Sequence, residues 1–243
     1  MIDLHIHILP GIDDGARSPE DALEMARIAA DSGARAMAAT SHGDFSCCDP
    51  AEYLKRYDRR LAEFRLRLKE CGIPMQVYSG MELMVNRSLL ELAETMRLPR
   101  IGGGRWLLAE FLFDVSGSSV LEDLRELKRL GYRIILAHPE RYDFAKRRPE
   151  RLREFYEEGI VLQVNRGSIL GQMGRGAART ADWLLSRGLA GLVASDAHDP
   201  VLRTPDLEET ARILDLYYGG QASEILLERN PGKILRFSPD AAG

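Results

Sequence analysis

The sequence predicts an α/β fold in which about seven parallel strands form a barrel with helices outside it. Short apolar runs alternate with longer amphipathic segments along the chain, which is the pattern of strands and helices taking turns. Nearly every apolar run ends in a His, Asp or Glu, as expected where parallel strand ends meet at one rim. No glycine-rich dinucleotide-binding motif follows the first run, which weighs against the alternative of an open doubly wound sheet.

The predicted strands are the apolar runs 2–7 (IDLHIH), 34–42 (ARAMAATSH), 75–83 (MQVYSGMEL), 106–113 (WLLAEFLF), 133–140 (RIILAHPE), 161–167 (VLQVNRG) and 191–198 (GLVASDAH). Amphipathic spacing predicts helices over 18–33, 49–72, 118–131, 148–159 and 179–188. Ser18 is a predicted N-cap, and Gly33 ends the first helix. The glycines of IGGGRWLL precede a strand and therefore predict a turn.

Composition predicts one soluble globular domain over residues 1–243, because no linker rich in Pro, Gly or Ser divides the chain. Only the tail FSPDAAG is expected to be disordered. The net charge of -4 argues against a nucleic-acid partner or an acidic membrane surface. No signal peptide or membrane-spanning run is found, so we expect a cytoplasmic protein without membrane insertion. The cysteines, Cys47, Cys48 and Cys71, are expected to be reduced and mostly structural.

The polar residues at the strand ends include all five histidines of the chain: His5, His7, His42, Glu82, Glu110, His138, Asp196 and His198. Residues two apart on a strand point the same way, so His5 and His7 present two imidazoles to one side. Glu110 interrupts a run that should be buried, where an unpaired carboxylate is costly. A lone His at a strand end is usually a hydrogen-bonded polar group, but the whole set predicts a multinuclear metal site. Zn, Mn and Fe accept such mixed imidazole and carboxylate ligands.

The motifs HIH, IDDGA, TSH, AHPERY and SDAH, with a Glu near the end of the third strand, resemble the polymerase and histidinol phosphatase (PHP) superfamily. Within it, the chain is most similar to the bacterial manganese-dependent tyrosine phosphatases of capsule and exopolysaccharide operons. The resemblance extends from Met1 to the region of Pro231. It implies a distorted TIM-like (β/α)7 barrel of the PHP type, with oligomeric state left open.

The resemblance also implies a role for each motif residue. Manganese is the expected metal, with iron or zinc as alternatives and up to three ions per chain. Asp14 is the expected ligand of the opening loop, with Asp13 as the alternative. Arg141 and Arg203 match the family's phosphate-binding arginines, and His42 or His198 would protonate the leaving group. The implied ligand sets are His5, His7, Glu82 and Asp196; Glu82, Glu110 and His138; and His42, His198 and Asp14.

The implied activity is hydrolysis of phosphotyrosine by metal-activated water, acting on the tail of a tyrosine kinase that controls polysaccharide export. The alternatives are a phosphatase of a small metabolite such as histidinol phosphate, a non-catalytic regulatory domain, and a nuclease, which the acidic balance disfavours. A cysteine phosphatase is excluded, because the positions at the required spacing from the three thiols hold Tyr53, Leu54 and Val77 instead of arginine.

Two further pairs of residues lie near the predicted rim. Asn165 and Arg166 end the sixth strand and are expected to face the site without a catalytic role. Tyr142 and Phe144 follow the fifth strand, where they either line a pocket for a phenyl ring or pack in the core.

Overall fold

The computed structural model describes residues 1–236, so the tail FSPDAAG lies outside the described residues. Each predicted strand run contains an observed strand, and the second and third runs are each divided into two. The strands are β1 (Ile2–Ile6), β2 (Ala36–Ala39), β3 (His42–Gly43), β4 (Gln76–Ser79), β5 (Glu82–Met84), β6 (Trp106–Glu110), β7 (Arg133–Ala137), β8 (Val161–Asn165) and β9 (Ala190–Ala194).

All strand pairs are parallel, and they form two sheets with the orders β1-β2-β4 and β3-β5-β6-β7-β8-β9. The two sheets are continuous, because β2 leads into β3 and β4 leads into β5 across breaks of two residues. At the other edge, the segment after β9 joins β1: Asp196 N donates to His5 O (2.8 Å) and His7 N donates to Ala197 O (2.9 Å). The predicted distorted TIM-like (β/α)7 barrel is thereby confirmed.

The helices are α1 (Pro19–Asp31), α2 (Pro50–Glu70), α3 (Arg87–Thr95), α4 (Gly117–Arg129), α5 (Asp143–Arg147), α6 (Leu152–Glu157), α7 (Arg166–Ile169), α8 (Gly174–Ser186), α9 (Glu208–Tyr218), α10 (Ala222–Glu224) and α11 (Asn230–Arg236). Short 3-10 turns span Ile101–Gly103, Pro139–Arg141 and Pro149–Arg151, and a π-helical turn spans Ile225–Arg229. Ser18 caps α1 as predicted, with its hydroxyl accepting from Asp21 N (3.1 Å).

Several helices differ from the prediction. The predicted helix 148–159 is divided into a 3-10 turn and α6, and α8 begins at Gly174, five residues before the predicted start. Helices α3, α5, α7 and α9 to α11 were not predicted, and α7 begins at Arg166 and Gly167, which were expected to end a strand. Helices α3 and α9 have an amphipathic pattern that sequence reasoning missed. The others have seven residues or fewer, which is too short to show a helical period by itself.

The cysteines are unpaired, as predicted, but two of them are not structural. Cys47 and Cys71 are exposed and only Cys48 is partly buried, so the expectation of structural thiols is wrong for those two. They lie in surface turns at either end of α2, where their side chains have no core to enter. None of the helices within residues 1–236 has the length and apolar character needed to cross a bilayer.

The loop after β1 folds back tightly onto the strand. Ala16 N donates to His7 O (3.0 Å), and Gly15 N donates to the Asp13 side chain (3.0 Å). A Cβ atom at Gly15 would lie 2.1 Å from His7 O, a distance that no side chain can tolerate. Glycine is required here because the backbones approach closely, which keeps the loop at the barrel rim.

The Gly15→Ala variant is expected to be destabilised by about 1–3 kcal/mol, because the added methyl group overlaps the backbone of His7. The free energy of unfolding, measured in urea, checks this. Gly220→Ala is the matched control, since a Cβ atom there meets nothing within 4 Å. Equal stability of the two variants would contradict the packing described here.

Candidate metal centre

The inner face of the barrel carries apolar side chains below and polar side chains at the rim. On β6, Leu108 belongs to the inner core and Glu110 follows two residues later. At β9, Ala194 belongs to the same core and Asp196 follows it. Because residues two apart on a strand share a face, Glu110 continues the inner face upward. Asp196 lies beyond the end of β9 and has a left-handed backbone with a φ of 50°. Both carboxylates are buried.

An irregularity in β1 reverses which of its alternate side chains face the barrel interior. The pairing of β1 with β2 shifts between Asp3 and Ile6. Leu4 packs with the inner core, whereas Ile6 packs with the outer core between the strands and the helices. His5 and His7 flank Ile6 and therefore face the barrel interior, where both are fully buried. The bulge thus directs two imidazoles inward above Leu4.

The structure brings together all the residues that the sequence predicts as metal ligands. They form overlapping groups in which the ligand atoms of each group lie within 4.8 Å of one another. The groups are His7, Asp14, His42 and His198; His5, His7 and Asp196; His5, Glu82 and His138; and His42, Glu82 and Glu110.

Glu82 lies at the centre of these groups. Its Oε1 accepts a hydrogen bond from His138 Nε2 (2.9 Å). Its Oε2 lies 3.1 Å from His5 Nε2, 3.2 Å from His7 Nε2 and 3.1 Å from His42 Nδ1. None of these Oε2 contacts has hydrogen-bond geometry, so the oxygen is buried without a hydrogen-bond partner. Four imidazoles therefore surround one carboxylate, a geometry suited to a bridging ligand.

Glu110 provides a second buried carboxylate beside the first. Its Oε1 lies 3.4 Å from His138 Nε2, and its Oε2 lies 3.4 Å from His42 Nδ1. Oε2 has no hydrogen-bond partner. A buried carboxylate oxygen without a hydrogen bond is costly unless a cation meets it. The unpartnered oxygens of Glu82 and Glu110 thus fit divalent cations.

Asp13 and Asp14 have different surroundings. Asp13 accepts hydrogen bonds from His7 Nδ1 (2.8 Å), His42 N (2.9 Å) and Gly15 N (3.0 Å). The exposed Asp14 lies 3.4 Å from His42 Nε2 and 3.5 Å from His198 Nε2. Asp13 therefore fixes the ring of His7, whereas Asp14 has a free carboxylate beside two imidazoles.

Two amides beneath the cluster orient its members. His5 Nδ1 donates to Gln163 Oε1 (2.9 Å), which leaves Nε2 of His5 directed at the cluster. Gln163 Nε2 donates to Asn165 Oδ1 (2.7 Å), and Asn165 Nδ2 donates to Asp196 Oδ2 (2.5 Å). Sequence reasoning missed Gln163, although an amide at two-residue spacing before Asn165 in an apolar strand was a usable signal.

The other residues predicted near the rim have structural roles. Arg166 Nε donates to Asp206 O (2.6 Å), away from the cluster. Tyr142 is fully buried, its hydroxyl accepts from Phe111 N (3.1 Å), and its ring stacks with Phe144. The alternative of core packing is therefore correct for Tyr142.

Both predicted arginines reach the cluster at Asp196. Arg203 Nη2 lies 2.7 Å from Asp196 Oδ2, and Arg141 Nη1 lies 3.3 Å from the same oxygen. The guanidinium of Arg141 also lies over the ring of Phe113, 4.5 Å from its centroid. Both guanidinium groups are partly exposed, so they are accessible to an anion at the mouth of the barrel.

Two residues of the cluster have left-handed backbone conformations. His138 has a φ of 33° and Asp196 a φ of 50°. This conformation is uncommon for residues other than glycine and persists only where surrounding contacts fix it. Here it turns each side chain from its strand end into the cluster.

Burial shifts the pKa of each ionisable group in the cluster toward its neutral form, whereas a neighbouring group of opposite charge shifts the pKa toward the charged form. Burial lowers the pKa of His42, but the Glu110 and Glu82 carboxylates close to its Nδ1 outweigh it and raise this pKa to about 10. The pKa of Glu82 is held well below its ordinary value, because the neighbouring imidazoles of His5, His138 and His42 together outweigh burial. Burial and the neighbouring His7 lower the pKa of His198 to about 3. Protons and cations therefore compete for the same nitrogens.

Residues 1–236 match the protein family described as capsular polysaccharide synthesis, CpsB/CapC. The tyrosine-protein phosphatase YwqE of Bacillus subtilis is 31% identical over 97% of this chain and 92% of its own length. The tyrosine-protein phosphatase CpsB of Streptococcus pneumoniae is 28% identical over 97% of this chain and 98% of its own length.

Solved structures agree with these relationships. A structure from the study of YwqE and CpsB, described as metal-dependent tyrosine phosphatases, superposes with a TM-score of 0.88 at 30% identity, covering 98% of this chain and 95% of that one. A phosphotriesterase homology protein from Escherichia coli, complexed with phosphate, has a TM-score of 0.58 at 13% identity and covers 97% of both chains. The second likeness shows the fold alone.

Removing the amide that orients His5 is expected to weaken metal binding. Gln163→Ala should lower the affinity for a divalent metal about 10–100-fold, because the imidazole loses the hydrogen bond that holds its ring. Isothermal titration with Mn²⁺ measures this affinity. Gln76→Ala, at an exposed strand position, is the control. If Gln163→Ala binds Mn²⁺ as tightly as the parent chain does, Gln163 does not orient His5 for metal binding.

The two aspartates of the opening loop are expected to respond differently to amide substitution. Asp14→Asn should lose one bound metal equivalent, because the exposed carboxylate beside His42 and His198 is removed. Asp13→Asn should keep the stoichiometry and bind more weakly, because His7 loses its partner. Metal content after gel filtration measures both. Loss of an equivalent in Asp13→Asn alone would reverse the assignment.

Proposed function

The chain belongs to the CpsB/CapC family of capsular polysaccharide synthesis, and from this we propose that it is a metal-dependent protein-tyrosine phosphatase. The observation that carries the proposal is the cluster of five imidazoles around buried carboxylates, with two arginines above it. Such a cluster suits divalent metals, and the arginines suit the phosphate.

We propose manganese as the bound metal, with iron or zinc as alternatives, because all three accept mixed imidazole and carboxylate ligands. Divalent ions, when bound, act as Lewis acids that activate water and stabilise charge on phosphoryl oxygens. The residues proposed to hold up to three ions are His5, His7, Glu82 and Asp196; Glu82, Glu110 and His138; and His42, His198 and Asp14.

Arg141 and Arg203 are proposed to bind the phosphate. Both donate toward one oxygen of Asp196, so their guanidinium groups converge at the mouth of the barrel. Arginine N–H groups bind non-bridging phosphate oxygens in pairs and neutralise the charge that develops on them. The ring of Phe113 also packs against the Arg141 guanidinium. The arginines thus provide an anion site directly above the cluster.

Protonation of the leaving group is proposed for His42, which, as a ligand of a bound ion, could donate a proton only from the ring nitrogen that does not coordinate. Its ring is partly exposed, whereas the ring of His198 is nearly buried. A departing phenolate has a pKa of about 10 and needs less help from an acid than an alkoxide does. We therefore expect a small contribution from this step.

The three thiols have no place in this chemistry. Cys48 Sγ donates to the backbone oxygen of Asp44, and burial together with the neighbouring Cys47 raises the pKa of this thiol. A thiol nucleophile requires the opposite shift. Unpaired thiols do fit a reducing compartment, and we propose a cytoplasmic site of action.

The proposed substrate is the phosphotyrosyl tail of a kinase that regulates capsule or exopolysaccharide synthesis. The family description supports the pathway, and the partly exposed arginines support a substrate that approaches from solvent. A small metabolite such as histidinol phosphate is the alternative substrate. A regulatory domain without activity is disfavoured, because every predicted ligand position keeps a metal-binding side chain.

The metal-stripped chain, reloaded with Mn²⁺, Fe²⁺ or Zn²⁺, is expected to hydrolyse a phosphotyrosyl peptide in preference to a phosphoseryl peptide and histidinol phosphate. Arg141→Ala should lower kcat/KM about 10²–10³-fold by removing a donor to the phosphate. His7→Ala should lose activity with its metal ligand. Phosphate release measures both effects.

The exposed Arg153→Ala is the matched control for loss of a positive charge and should retain activity. The proposal fails if the phosphotyrosyl peptide is not hydrolysed with any metal. It also fails if Arg141→Ala and His7→Ala both keep full activity.

A further inference from the structure

Exposed apolar side chains flank the two arginines at the mouth of the barrel. The β6 patch consists of Leu112 and Phe113 in the loop after β6, which are 67% and 37% exposed. The β9 patch consists of Val201 and Leu202 in the loop after β9, which are 77% and 79% exposed. Ten large apolar side chains of residues 1–236 are exposed, and four of them lie in these two loops beside the site.

The β9 patch is held rigidly in its exposed position. The Asp199 side chain accepts hydrogen bonds from Val201 N (2.8 Å), Leu202 N (2.6 Å) and Arg203 N (3.1 Å). Arg203 then reaches back to Asp196. A well-ordered turn therefore directs two apolar side chains into solvent, next to a residue that we propose to bind phosphate.

The β6 patch is anchored in a similar way. Phe113 O accepts from Asp143 N (2.8 Å), and Leu112 O accepts from Val115 N (3.3 Å). The Phe113 ring lies under Arg141 and 5.8 Å from the ring of His138. The patch thus borders the cluster on one side and the anion site on the other.

We propose that the β6 and β9 patches bind apolar side chains near the phosphotyrosine of a peptide substrate. This inference rests on the proposed function and adds the sequence preference of the substrate. A phosphate held by Arg141 and Arg203 places the rest of the peptide against both patches, because Phe113 contacts one arginine and Leu202 precedes the other. The surface is therefore continuous with the site.

The conformation of a bound peptide sets the positions concerned. In an extended peptide, alternate side chains point to the same side and residues are about 3.3 Å apart. When the phosphotyrosine enters the site, the side chains two positions before and after it also face the protein. Apolar residues at these two positions would cover Leu112, Val201 and Leu202, whereas serine would leave them exposed to water.

The test compares two peptides that carry phosphonomethyl phenylalanine, a non-hydrolysable phosphotyrosine mimic, with either Leu or Ser two positions before and after it. Fluorescence anisotropy with the manganese-loaded chain gives each Kd. We expect the Leu peptide to bind about tenfold more tightly, because partial burial of a few exposed aliphatic side chains provides that difference.

In the Val201→Ser/Leu202→Ser variant, the Kd values of the Leu and Ser peptides should differ by no more than about twofold, because the apolar contacts are lost. Leu112→Ser should reduce the difference to an intermediate value. Leu216→Ser/Tyr217→Ser removes two exposed apolar side chains on α9 and should keep the full preference. The inference is overturned if the parent binds both peptides equally, or if the α9 variant loses the preference as well.

Hydrolysis of p-nitrophenyl phosphate, measured in parallel, separates this inference from the proposed function. A preference in Kd without hydrolysis supports the patches and counts against the phosphatase. Hydrolysis without a preference overturns the patches alone. Sedimentation with phosphatidylglycerol vesicles tests whether the patches bind a lipid membrane instead of a peptide. The inference is overturned if the Val201→Ser/Leu202→Ser variant no longer sediments with the vesicles but keeps the full preference for the Leu peptide.

Discussion

The burial of Glu82 among imidazoles is the constraint on which the rest of the site depends. A carboxylate at the top of a closed barrel is stable only where positive charge surrounds it. Four histidines from three separate segments of the chain supply their nitrogens to this one side chain. Each must therefore leave its strand at one particular height and angle, which closure of the ring provides.

The supporting structure answers this requirement with local irregularities. A bulge in β1 turns His5 and His7 inward, and left-handed backbones direct His138 and Asp196. Gln163 holds one ring by its second nitrogen, as metal sites generally require of their histidines. These departures from regular strand geometry shape the site, and an apolar core lies below them in the barrel. The cost of the strain is offset by that core.

From the centre outward, the site consists of the buried cluster, the two arginines and the exposed loops. The buried cluster suits metal chemistry, which any phosphate ester could use. Arg141 and Arg203 share one carboxylate, that of Asp196, and both are partly exposed. Beyond them, ordered loops expose Leu112 and Leu202. On this arrangement, we propose that selection among substrates is made at the mouth of the barrel, since the inner cluster contacts only what every substrate has in common.

The sequence by itself determined the order of strands, the first helix cap at Ser18 and the full set of candidate ligands, because strand periodicity and residue chemistry are local properties. Tertiary structure decided what those ligands contact. It places Asp13 in a hydrogen bond with His7 and Asp14 beside His42 without a hydrogen bond. It also brings Gln163, from an apolar strand, into a hydrogen bond with His5. Such pairings join residues from distant strands, and only closure of the barrel sets their distances. The short helices α10 and α11 likewise depend on packing against neighbouring elements, because three and seven residues are too few to be stable alone.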